Sequence, residues 1–65
     1  METNVTLKIR AARKERGISQ RDLARALGMA QSTLSRIERG ERRLGVDQLI
    51  AIARALGVSP SDMID

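Results

Sequence analysis

The sequence predicts a single all-α domain in which five short helices pack into a compact bundle. Apolar residues recur at the three- and four-residue spacing of a helix, and the strict alternation of a half-buried strand is missing. Glycines at positions 17, 28, 40 and 57 each follow such a stretch, as helix-ending glycines do. A chain of 65 residues has the length of one small domain, so residues 1–65 are assigned to one domain with a core over about 6–64.

The first predicted helix begins near Thr6 and runs to about Arg16. Its apolar stripe is narrow, with Val5, Ile9 and Ala12, and basic residues cover much of the remaining surface. Gly17 ends the helix, and Ile18 is expected to pack in the turn that follows.

The second and third predicted helices cover about Gln20–Leu27 and about Gln31–Arg39, with Gly28 ending the former. Ser19 is a favoured N-cap, and Asp22 three residues later resembles a capping box. The residues expected to face inward are Leu23, Ala24, Leu27, Ala30, Leu34 and Ile37. Two helices joined by so short a turn must cross steeply and pack closely, which requires a small residue and a glycine where Ala24 and Gly28 stand.

The fourth predicted helix covers about Val46–Leu56 and is followed by a short fifth helix. Its expected core residues are Leu49, Ile52, Ala53 and Leu56. Ser59 and Pro60 are typical of an N-cap and a first helical position, so they predict the fifth helix, which carries Met63 and Ile64.

The composition argues against catalysis and against metal or cofactor binding. Cysteine, histidine and all three aromatic residues are absent. Without them there is no Cys or His nucleophile or base, no cysteine-based zinc site and no stacking platform for single-stranded nucleic acid. The eight carboxylates follow no pattern that places two of them in a cleft. We therefore expect no enzymatic activity, metal, cofactor or small-molecule substrate.

The charge is distributed unevenly along the chain. The net charge is +4, but Met1 to Arg43 carries 11 basic and 5 acidic residues, a net of +6, while Leu44 to Asp65 carries one basic and three acidic, a net of −2. Ten of the 12 basic residues are arginine, whose planar guanidinium matches phosphate and guanine edges. This asymmetry favours a polyanionic partner, with nucleic acid first.

A membrane partner is a weaker alternative. No stretch approaches the roughly 20 apolar residues of a membrane span, and the polar N-terminus lacks the pattern of a signal peptide. A basic first helix could lie on a membrane surface, but its apolar side offers only Val5, Leu7, Ile9 and Ala12, with no aromatic anchor. The expected location is the cytoplasm.

Three segments carry a resemblance to a known family. Ile18–Ala24, Leu27–Gly40 and Ile52–Pro60 resemble the Cro/phage-repressor helix-turn-helix family, and the likeness extends over Leu7–Ile64. It implies a lambda-repressor-like domain whose second and third helices form the helix-turn-helix. It also implies binding of double-stranded DNA, usually as a homodimer on a partly palindromic operator. Phage repressors, controllers of restriction-modification operons and antitoxins share this pattern, so the regulatory role stays open.

The outward side of the third helix is predicted to read base edges. With the core direction fixed by Leu34 and Ile37, the opposite side carries polar and basic residues. Such helices contact bases with their N-terminal part in the major groove. Gln31 suits adenine, Arg36 suits guanine, and Ser32 can serve either base. These three residues are the predicted base contacts.

Phosphate contacts are predicted on both sides of the reading helix. The N-terminus of the second helix offers free N–H groups and a positive dipole end, although capping alone explains Ser19. The resemblance places Gln20 on the DNA backbone, and it places Arg42 and Arg43 at the next phosphates. Arg39 also complements the helix dipole, and Lys8, Arg10 and Arg21 add to the positive field. The full predicted set is Ser19, Gln20, Ser35, Arg39, Arg42 and Arg43.

The resemblance also implies a partly buried ion pair between Arg13 and Glu38, with a structural role. The leading hypothesis is thus a sequence-specific transcriptional regulator, most often a repressor. The alternative is a protein-interaction or antitoxin-like module with weak DNA binding, although such a module would have little reason to keep the cations Arg36, Arg42 and Arg43. No heptad or long apolar helix marks a dimer interface. Met63, Ile64 and the end of the fourth helix are the candidates, or they are simply core residues.

Overall fold

The computed structural model describes residues 4–64 and contains four α-helices. They are α1 (Asn4–Glu15), α2 (Gln20–Leu27), α3 (Gln31–Glu38) and α4 (Val46–Leu56), followed by a 3₁₀ helix (Pro60–Met63). The all-helical architecture is confirmed, and the predicted bounds of α2 and α4 are met. None of the helices between residues 4 and 64 combines the length and the apolar character needed to cross a membrane.

The predicted fifth α-helix is wrong, because the segment forms a single 3₁₀ turn. The N–H of Asp62 donates to the carbonyl of Ser59 at 2.9 Å, three residues back. Pro60 takes the first position as predicted, but the Ser59 hydroxyl lies 2.9 Å from that of Ser61 instead of capping the helix. Four residues are too few for a ladder of four-residue hydrogen bonds, so the tighter turn forms.

The helix ends differ slightly from those expected. α1 begins two residues before Thr6 and ends one residue before Arg16. α3 ends at Glu38, with Arg39 as its C-cap. Ala30, expected to face inward, is exposed, because it is the extended N-cap residue and so lies outside the 100° periodicity of the helix.

The core lies where α2 packs against α3 and α4, and α1 packs across α3 and α4. The largest fully buried side chains are Ile9, Leu23, Leu34, Ile37, Glu38, Ile52 and Leu56. Thr6 is also buried, which the apolar pattern missed. Met63 is a core residue, only 2% exposed, whereas Ile64 is 57% exposed, so Met63 is not available to a dimer interface.

The turn between α2 and α3 depends on Gly28. Its φ of 69° and ψ of 29° lie in the left-handed region. The N–H of Met29 donates to the carbonyl of Ala24 at 3.0 Å, and that of Gly28 donates to Arg25 at 3.1 Å. These two bonds form a Schellman motif, which satisfies the last carbonyls of α2 and turns the chain into α3.

Replacing Gly28 with alanine should lower the free energy of unfolding by about 1–2 kcal/mol, because L residues are strained in the left-handed region. An added Cβ meets nothing within 4 Å, so the backbone alone sets this cost. Urea unfolding followed by far-ultraviolet circular dichroism measures it. Gly45→Ala is the comparison variant: Gly45 has a φ of −78°, so alanine is not strained there and should lose only the modest N-cap preference of glycine. Equal effects of the two substitutions would contradict the assignment.

Candidate nucleic-acid interface

α3 turns one side into the core and the other toward solvent. Leu34 and Ile37 are fully buried. On the other side Gln31, Ser32 and Arg36 are exposed. Ser35 is half-buried between these two sides. The three predicted base-contacting residues therefore lie on the exposed part of one helix, while the predicted phosphate contact Ser35 is partly covered.

Glu38 anchors the end of α3 to α1 through a buried ion pair. Its side chain is 2% exposed and that of Arg13 is 11% exposed. The Arg13 Nε donates to Glu38 Oε2 at 2.8 Å, and the Nη2 donates to Oε1 at 3.0 Å. Such a bidentate pair fixes geometry as well as charge. The ion pair implied by the resemblance is confirmed, and Glu38 is almost completely buried rather than partly buried.

Two further side chains converge on Glu38. Gln20 Nε2 donates to Glu38 Oε1 at 3.0 Å, and Arg10 Nη2 donates to the Glu38 backbone carbonyl at 2.8 Å. Arg13 Nη1 also donates to the carbonyl of Ile18 at 3.0 Å. The network thus connects α1, the turn after it, α2 and α3. It holds the axis of α3 at a fixed angle to the rest of the domain.

These contacts change the roles expected for Gln20 and Arg10. Arg10 was expected only to add to the positive field, but its guanidinium has a defined partner on α3. Gln20 was predicted to contact DNA, and its side-chain nitrogen is bound to Glu38. Both contacts with Glu38 depend on the angle at which the helices cross. The spacing of residues along the sequence therefore could not predict them.

The N-terminus of α2 is capped as the sequence predicts. The Ser19 hydroxyl accepts the N–H of Asp22 at 3.0 Å, and Ser19 itself is exposed. One of the first N–H groups of α2 is thereby satisfied, and the preceding ones have no partner within the helix. Backbone N–H groups at this positive dipole end can bind an anion, with or without the Ser19 hydroxyl.

The arginines around α3 differ in how they are held. Within the described part of the chain, the exposed guanidinium groups of Arg36, Arg42 and Arg43 form no ion pair or hydrogen bond. Arg39 Nε instead lies 2.9 Å from Glu41 Oε2, and both side chains are about half exposed. Three of the four cations are thus unpaired, and the fourth is held by an exposed carboxylate.

The dimensions of α3 suit a DNA groove. Eight residues make a helix about 12 Å long, and the major groove of B-DNA is about 12 Å wide and admits a helix. The exposed side of α3 offers an amide, a hydroxyl and a guanidinium, which between them donate to and accept from base edges. This arrangement can bind the negatively charged backbone of DNA through its cations and can recognise the bases through hydrogen bonds.

α2 and α3 are joined by a tight turn at the left-handed Gly28, and the outer side of α3 is polar and basic. This arrangement defines the helix-turn-helix class of domain. The family model described as Helix-turn-helix matches residues 9–63. The chain therefore belongs to the helix-turn-helix family, and the resemblance to its Cro/phage-repressor branch is confirmed.

Relatives of this chain are named as regulators. It is 43% identical over 53 residues to an uncharacterized HTH-type transcriptional regulator, y4dL of Sinorhizobium fredii, covering 82% of this chain but 27% of that protein. It is 36% identical to the control protein C.BamHI of Bacillus amyloliquefaciens, covering 100% of this chain and 86% of that one. The crystal structure of the clp gene regulator ClgR from C. glutamicum matches with a TM-score of 0.90 and 30% identity, over 94% of this chain and 79% of that chain.

Proposed function

We propose that this chain is the sequence-specific, double-stranded DNA-binding domain of a transcriptional regulator, acting as a repressor. The observation that carries the proposal is the exposed side of α3. Its Arg36 has no partner in the described chain, while Glu38 at the end of the helix is buried in an ion pair with Arg13. Family membership and the names of its relatives support the same function.

In this proposal α3 lies in the major groove and reads bases with its exposed residues. Arg36 donates two hydrogen bonds to guanine O6 and N7, Gln31 pairs with adenine N6 and N7, and Ser32 contacts either base. Because the ion pair and core packing already fix α3, little conformational freedom is lost on binding. The half-buried Ser35 and the α2 N-terminus contribute phosphate contacts.

The residues proposed to contact phosphate differ in whether they already have a partner within the domain. Arg42 and Arg43 are free to contact the backbone beyond the end of α3. Arg39 must exchange Glu41 for phosphate, and Gln20 must leave Glu38 or use its amide oxygen as a water-bridged contact. Ser19 acts mainly through its cap, which orients the first N–H groups of α2.

Two copies bind as a homodimer on a partly palindromic operator, with half-sites about one helical turn apart. The domain acts on duplex DNA in the cytoplasm as a binding protein and not as an enzyme, in keeping with the regulator and control-protein names of its relatives.

Selection of bound duplexes from a random library tests this function. The expected result is an enriched motif with two related half-sites that contain guanine and adenine positions. Binding without any enriched motif would indicate a sequence-independent DNA-binding protein. Failure to retain any duplex would indicate the interaction module and overturn the proposal.

Arg36→Ala should weaken binding to the best selected site by about 1–3 kcal/mol and relax the preference at one base pair. The reason is the loss of a bidentate contact to one guanine. Fluorescence anisotropy against single-base variants of the site measures both effects. Uniform weakening on every duplex would show that Arg36 contacts only phosphate.

Glu41→Gln should strengthen binding to all duplexes by about 2- to 5-fold, the scale of one exposed ion pair. The substitution removes the carboxylate that holds Arg39. In the proposed complex it also removes a negative charge beside a phosphate-binding arginine. Anisotropy titrations at fixed salt provide the measurement, and Glu15→Gln at the end of α1 is the matched control. An unchanged affinity would remove Arg39 from the phosphate contacts.

A further inference from the structure

One face of α4 combines apolar residues with an opposite charge at each end. Asp47 lies in the first turn and Arg54 in the last, and Ile50 and Ala51 lie between them. Leu27 of α2 borders the same shallow groove. Asp47, Ala51 and Arg54 are exposed, while Ile50 and Leu27 are half-buried.

The two charges are spaced for pairing with an antiparallel copy of the same helix. Arg54 follows Asp47 by seven positions, which is almost two full turns, so both lie on one face about 10 Å apart. The midpoint of this interval falls between Ile50 and Ala51. A twofold axis at that midpoint brings Asp47 of each copy opposite Arg54 of the other. It also brings Ile50 opposite Ala51, a large residue against a small one.

The charges have no other partner in the described chain. Between residues 4 and 64, neither Asp47 nor Arg54 forms an ion pair or a side-chain hydrogen bond. Both positions also complement the dipole of α4, but the dipole does not require the two residues to share a face. A face that is complementary to itself is the defining property of a twofold, isologous interface.

We propose that this α4 face binds a second copy of the chain, with the two α4 helices antiparallel about a twofold axis near Ile50 and Ala51. The proposal names the interface of the homodimer and rests on the proposed function only for its role on an operator. A stable dimer buries about 800 Å² per partner, about a fifth of the 4192 Å² surface of this domain. One helix face with its α2 border supplies less, so the free dimer is weak and adjacent half-sites stabilise it.

Sedimentation equilibrium from micromolar to millimolar concentration, without DNA, tests the interface. The wild type should show a monomer–dimer equilibrium. Asp47→Arg alone and Arg54→Asp alone should each raise the dimer dissociation constant at least about tenfold, because like charges then face each other in both pairs. Mixing the two variants should restore association as a heterodimer, since every facing pair is again opposite in charge.

Ala51→Glu should abolish association, and Ala11→Glu, an exposed alanine of α1, is the matched control and should not. Circular dichroism melting verifies that each variant is folded. If a charge-reversed variant does not fold, the neutral substitutions Asp47→Asn and Arg54→Gln take its place, and each should weaken the dimer. A wild type that stays monomeric, or a mixture that does not associate, would overturn the proposal. Because no DNA is present, failure of the DNA-binding function leaves these outcomes unaffected.

Discussion

Replacing Glu38 with alanine should lower the free energy of unfolding by about 3–5 kcal/mol, the cost of breaking one side of a buried ion pair. Arg13 would keep its charge at a site where its side chain is 11% exposed, with no carboxylate beside it. Gln20 would lose its acceptor as well. Small domains have total stabilities near the lower end of about 5–15 kcal/mol, so much of the chain should unfold.

Urea unfolding followed by circular dichroism measures this loss, since the chain has no tryptophan or tyrosine for fluorescence. It should be carried out at low protein concentration, where dimerisation does not add to the apparent stability. Glu41→Ala is the matched control, because its exposed pair with Arg39 should contribute at most about 1 kcal/mol.

A double variant separates charge from packing. Arg13→Met with Glu38→Met removes both charges and keeps the volume apolar, so it should cost less than Glu38→Ala alone. Should the double variant be as unstable as the single one, the burial of an unpaired charge would not be the cause. The comparison shows how much of the cost of Glu38→Ala comes from the uncompensated charge of Arg13.

The helices were predictable because their signals are local. The spacing of Leu49, Ile52, Ala53 and Leu56 placed α4 correctly, and all four are buried. The Ser19 cap and the left-handed Gly28 were likewise read from residue type and position. The exposed side of α3 followed from the same periodicity once Leu34 and Ile37 fixed its core direction.

The errors occurred where tertiary packing or chain length overrides the local pattern. The segment after Ser59 has a proline and an acidic residue suited to a helix, yet it is too short to form more than a 3₁₀ turn. Arg10 and Gln20 looked like solvent-facing polar residues, and the crossing of α1, α2 and α3 brings both to Glu38. Which residues contact DNA stays a prediction, since base and phosphate contacts depend on a partner.

DNA affinity should fall steeply with salt, with a slope near −5 in a plot of log affinity against log salt, if about six phosphates are neutralised. Raising the salt from about 50 to 200 mM should then weaken binding about 10³-fold. The cause is release of counterions from the phosphates that the cations replace. Arg42 and Arg43 form no ion pair in the described part of the chain, so they can bind phosphates without first losing a carboxylate partner.

Matched variants assign this slope to particular cations. Arg43→Ala should weaken every duplex alike and reduce the slope by about 1, because one phosphate contact is lost. Lys14→Ala, an exposed cation at the end of α1, should leave the slope unchanged. Anisotropy titrations at several salt concentrations measure both. A flat dependence for the wild type would contradict the electrostatic basis of binding, and an Arg43 effect confined to one sequence would make Arg43 a base contact instead.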